Sequence, residues 1–94
     1  MHIARLETKA RKLYGGASST RFTIEFADGE KSVVKHLIFN LSENMSRASR
    51  CQEVEWMFNK AIIEAKRDFG CEGVEVEGLK KEEWLKSLFY AVTI

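Results

Sequence analysis

The sequence predicts an α+β fold: a small, mostly antiparallel sheet of three to four strands, with a long helix and a C-terminal helix packed on it. Three observations predict it. Residues 21–41, "RFTIEFADGEKSVVKHLIFNL", alternate apolar and polar side chains around a turn dipeptide. Residues 51–69 repeat apolar side chains at the helical period and stop at Gly70. Residues 80–92 gather a second apolar arc at the same period. The implied order is ββ(β)αβα, in a single globular domain over residues 1–94.

The first fifteen residues support two readings. As a strand, Ala4, Leu6, Thr8, Ala10 and Tyr14 share one face, and Arg5, Glu7, Lys9 and Arg11 the other. As a helix, Ile3, Leu6, Ala10 and Leu13 line up, and Ala, Leu, Lys, Arg and Glu are good helix formers. The alternation, and a Gly15-Gly16 turn leading into another strand, favour the strand.

The hairpin comes next. Phe22, Ile24 and Phe26 alternate with Thr23 and Glu25, the period-2 pattern of a half-buried strand. Asp28-Gly29 is a hairpin dipeptide, because both central positions of a type I′ turn need positive φ. The return strand, residues 32–41, carries Val33, Leu37, Phe39 and Leu41 on one face and Val34, His36 and Ile38 on the other. Apolar residues on both faces predict a central or doubly covered strand.

"SENMSRASR" reads as a loop, with Ser49 and Gln52 at capping-box spacing before the long helix. Wound as a helix, the next segment places Cys51, Val54, Met57, Phe58, Ala61, Ile62, Ala65 and Phe69 on one arc. Gly70 is placed to end it. "CEGVEVEG" alternates Val74 and Val76 with glutamates and reads as a short edge strand. The final helix collects Trp84, Leu85, Leu88, Phe89 and Val92 on a broad arc.

Composition excludes several classes. With 45% hydrophobic residues and ten aromatic side chains, the chain is not a disordered one. No apolar run approaches the ~18–20 residues of a membrane span, and "MHIARLETKARK" has no apolar signal-peptide core. A cytoplasmic location is the expectation. Cys51 and Cys71 stand about 27 Å apart if the intervening segment is helical. A disulfide needs Cα atoms within about 7 Å, so both thiols should be reduced. The chain carries net +1, but residues 1–50 hold net +4 and residues 51–94 net −3. The pI of 7.8 is well below the value of about 9 or more usual for dedicated nucleic-acid binders.

No motif points to catalysis or a cofactor. The only imidazoles are His2 and His36, and no nucleophile stands at signature spacing from either; Cys71 with His36 is a pairing only the fold can supply. Two Cys and two His lack the spacing of a zinc site. "YGGAS" lacks the Lys-Ser/Thr ending of a phosphate-binding loop. Glu75 and Glu77 read as a solvated strand face. The expectation is therefore a non-enzymatic protein with no cofactor and no metal.

Two contact surfaces remain. Trp56 and Ile63 fall opposite the core arc of the long helix, among Lys60 and Arg67. Either the C-terminal helix covers them, or they anchor a protein partner or self-association, with Lys60 and Arg67 as a polar rim. The expected function is a small binding module: an inhibitor, an adapter or a self-associating regulator, of the kind phage and mobile elements encode. The alternative is nucleic-acid binding. Lys9, Arg11, Lys12 and Arg21 flank the glycine loop, and Arg47, Ser49 and Arg50 cluster where free N–H groups at a helix N-terminus attract anions.

Overall fold

Pairing overrides helix propensity in the first segment. In the computed structural model, which describes residues 1–12, 17–41, 44–74 and 76–93, β1 (His2–Lys12), β2 (Ser18–Asp28) and β3 (Lys31–Leu41) form one antiparallel sheet in the order β1-β2-β3. An isolated helix of this length is marginal in water, whereas β1 as a strand is paired with β2 from His2 to Lys12. A bulge between Ile3 and Arg5 resets the alternation: Ile3 pairs with Phe26, and Arg5 with Glu25. Ile3, not Ala4, therefore enters the core. The Gly15-Gly16 turn, Tyr14 and Glu75 lie outside the described residues.

β2, not β3, is the central strand. β3 is an edge whose outward residues Val34 and Ile38 are 44% and 56% exposed, so apolar side chains on both its faces do not mean that both faces are covered. The hairpin turn also sits one residue later than the dipeptide suggests. Asp28 pairs with Lys31, leaving Gly29 and Glu30 central. Only Gly29 has positive φ (63°), the pattern of a type II′ turn with glycine first.

α1 spans Arg47–Asp68 and α2 Lys81–Thr93. The N-cap of α1 is Ser46, one turn before the expected Ser49. Its hydroxyl oxygen accepts from the Ser49 backbone N–H at 3.1 Å, satisfying a donor the helix cannot. The C-terminus behaves as anticipated. Gly70 takes φ 73°, its N–H donates to Arg67 O at 3.1 Å, and Cys71 N–H donates to Lys66 O at 2.9 Å. Those two bonds are a Schellman motif.

No strand forms over the described part of residues 71–78. The chain turns through Gly73 at φ 78° and closes a 3₁₀ turn at Glu77–Leu79. A left-handed glycine interrupts the extended run, Val74 is left 56% exposed, and Leu79 is buried in place of the valines.

The core lies between the sheet and both helices. Phe22, Ile24, Phe26, Leu37 and Phe39 from the sheet join Val54, Phe58 and Ala65 of α1 and Leu85, Leu88 and Val92 of α2 in one buried cluster. Phe22 and Phe39 meet edge to face with ring centroids 5.5 Å apart. α1 leaves the Leu41 end of β3 and runs back along it, so Lys35 Nζ reaches Asp68 at 2.9 Å and Glu64 at 3.9 Å. α2 returns antiparallel to α1, and Arg50 Nη1 donates to Val92 O at 3.1 Å. Both helices occupy one face of the sheet, which leaves the other face bare. No helix among the described residues is long and apolar enough to cross a membrane.

Candidate functional site

The exposed ridge of α1 is built by helical geometry. Trp56, Lys60, Ile63 and Arg67 stand at i, i+4, i+7 and i+11, which confines them to about 60° of arc at 3.6 residues per turn. The opposite arc, Val54, Phe58, Ala61 and Ala65, is buried against the sheet. Trp56 is 65% exposed and Ile63 52%. Of the two answers the sequence left open, cover by α2 is overturned. Leu85, Leu88 and Val92 are committed to the sheet-facing core, so α2 lies beside α1 and not over it.

The ridge has local order without being packed. Lys60 Nζ lies 5.4 Å from the Trp56 ring centroid, one turn along, a cation–π distance. Arg67 Nη2 approaches Glu72 Oε1 at 3.6 Å in the turn after the helix. Depressions flank the ridge on both sides. One, of about 160 Å³, runs between Trp56, Met57 and Lys60 of α1 and residues 35–37 of β3. The other, of about 940 Å³, lies between Ile62 and Ile63 of α1 and Val76 and Leu79 ahead of α2, with Lys66 and Lys81 at its rim. A helical ridge with an exposed aromatic beside the smaller groove and Ile63 at the edge of the larger one is suited to docking against a complementary surface.

The basic residues separate into two groups. Lys9 pairs directly with Arg21 across the β1–β2 ladder, and Arg11 follows two residues along on the same bare face. Lys12 ends β1 on the opposite side, exposed. Arg47, Ser49 and Arg50 belong to the helical layer. Ser49 Oγ accepts from the Ser46 hydroxyl at 2.9 Å, and Arg50 Nη1 donates to the carbonyl of Val92 near the C-terminus of α2. Arg50 thus joins the two helices, where its charge complements the negative end of α2.

His36 and Cys71 are on different layers. The His36 ring is exposed on the bare sheet face, its Nδ1 3.2 Å from Thr23 Oγ1 on the neighbouring strand, whereas Cys71 closes the α1 C-terminus. Among the described residues no three His, Cys, Asp or Glu side chains gather as a metal site would require.

Sequence reasoning missed the bare face as a unit: His2, Arg5, Glu7, Lys9 and Arg11 of β1, Ser19, Arg21, Thr23 and Glu25 of β2, and Val34, His36, Ile38 and Asn40 of β3. The signal was present in the polar odd-numbered residues of β1 and β2. It was obscured by Val34 and Ile38, which suggested a second covering layer. No protein-family model, curated protein or solved structure matches this chain, so geometry and chemistry carry the functional argument.

Proposed function

We propose that this protein is a non-enzymatic binding module that acts by surface contact with another protein, through the Trp56–Lys60–Ile63–Arg67 ridge of α1. The observation that carries the reading is the 65% exposure of Trp56. An exposed tryptophan on a helix adds nothing to the core. At an interface it is among the side chains that contribute most when desolvated. Ile63, 52% exposed and two turns away, extends the apolar contact, and Lys60 and Arg67 supply the polar rim that interfaces carry. Inhibitor, adapter and self-associating regulator all use such a surface.

Affinity capture from host lysate, with and without nuclease, tests this with wild type, Trp56→Ala and Ile63→Ala as baits. The reading expects a nuclease-resistant protein, or further copies of the chain itself, on wild type and its loss from both variants. Equal capture by all three baits contradicts it.

A further inference from the structure

We infer that the bare face of the sheet is a second binding surface, and that its ligand is the phosphate backbone of a nucleic-acid duplex, held by Lys9, Arg11 and Arg21. The first observation is the register. Lys9 and Arg21 are direct cross-strand partners, and like charges in that position destabilise a sheet. Arg11 stands two residues from Lys9, about 7 Å along the strand. Three cations thus share one patch, and among the described residues no carboxylate pairs with any of them. The contrast on the same face is Arg5, whose guanidinium reaches Glu7 at 2.6 Å and Glu25 at 3.4 Å. One end of the face is neutralised and the other end is left positive.

The second observation is shape. Lys9, Arg11 and Arg21 surround a shallow depression of about 470 Å³, with Ser19 and Ile38 on its walls. Ser19, Thr23 and Asn40 on the same face offer the hydroxyl and amide donors that commonly contact phosphate oxygens. All three cations stand on the adjacent strands β1 and β2 of the three-stranded sheet.

The third observation selects a duplex over a single strand. Single-strand binders stack bases on aromatic side chains. Here Phe22, Phe26 and Phe39 all point into the core, and the described part of the bare face carries no Phe, Tyr or Trp, only the imidazoles of His36 and, at the far end opposite Ala27, His2. What is on offer is charge and hydrogen bonding, which read a backbone and not unstacked bases. The helix N-terminus adds nothing to this surface, since Arg50 is bound to α2.

Fluorescence anisotropy with a labelled 20-base-pair duplex and a single strand of the same length, from 50 to 300 mM NaCl, tests the inference. Wild type should bind the duplex more tightly, with log Kd rising linearly in log salt at a slope of about three, given about 0.9 per neutralised phosphate. Lys9→Gln/Arg11→Gln/Arg21→Gln should lose at least tenfold in affinity and most of the slope. Lys66→Gln/Lys81→Gln/Lys86→Gln, an equal change in net charge on the helical layer, should stay within twofold of wild type. Circular dichroism melts show whether each variant is folded. If the sheet variant fails to fold, the wild-type slope and the duplex preference decide alone. No duplex binding at 50 mM salt, tighter binding of the single strand, equal losses in the two triple variants, or binding to phosphatidylserine vesicles without duplex binding would each overturn it.

Discussion

Lys60 holds its ammonium 5.4 Å from the centroid of the Trp56 ring, one turn along the exposed face of α1. Both side chains are exposed, so the attraction is worth about 0.5–1 kcal/mol. A double-mutant cycle of Trp56→Ala and Lys60→Met, followed by urea unfolding, should return a coupling energy of that size. Zero coupling would mean that Lys60 does not order the tryptophan.

Replacing Lys9 by Glu should stabilise the isolated protein. The change converts the like-charged pair with Arg21 into an opposite-charged one, and cross-strand pairs contribute about 0.2–1 kcal/mol. A rise in the unfolding midpoint at low salt, shrinking as salt is added, is the expected result. A fall would mean that the two cations are not in register.

The start of α1 depends on Ser46. Its hydroxyl oxygen accepts the Ser49 N–H, so Ser46→Ala should cost about 1 kcal/mol. Ser49→Ala leaves that acceptor in place and should stay within about 0.5 kcal/mol of wild type. The reverse ranking would move the cap to Ser49.

At the other end of α1, Gly70 stands at φ 73°, where a Cβ is strained although nothing lies within 4 Å of it. Gly70→Ala should cost about 1–2 kcal/mol from backbone strain alone. Chemical denaturation measures this, and an unchanged midpoint would show that the Schellman turn is not held.

Much of the fold was legible in the residues. Phe22, Ile24 and Phe26 identified a half-buried strand because period-2 alternation leaves few other arrangements. The long helix and its glycine stop followed from spacing and from the left-handed position that glycine alone accepts easily. Two features were not legible, for different reasons. Val74 and Val76 alternate like a strand, but a strand also needs a partner edge, and pairing is a property of the whole chain. The neutral look of Val34 and Ile38 hid an edge, because apolarity does not say whether a face is covered.

The site shows the same division. The helical wheel alone places Trp56 and Ile63 on the face opposite the core, since α1 is regular. Whether α2 covered them depended on where the arc of Leu85, Leu88 and Val92 was used, and only packing reveals that. Among the basic residues, alternation already put Lys9 and Arg11 on one strand face. The pairing of Lys9 with Arg21 needed the register, and the binding of Arg50 to Val92 needed the antiparallel return of α2.

The most direct test of the α1 ridge is the unfolding free energy of Trp56→Ala measured beside that of Phe58→Ala. Phe58, two residues along, is fully buried and should cost about 3–5 kcal/mol when truncated. Trp56→Ala should cost less than about 1 kcal/mol, the coupling to Lys60 included. A cost for Trp56→Ala equal to that of Phe58→Ala would place the tryptophan in the core and contradict a ridge kept for a partner.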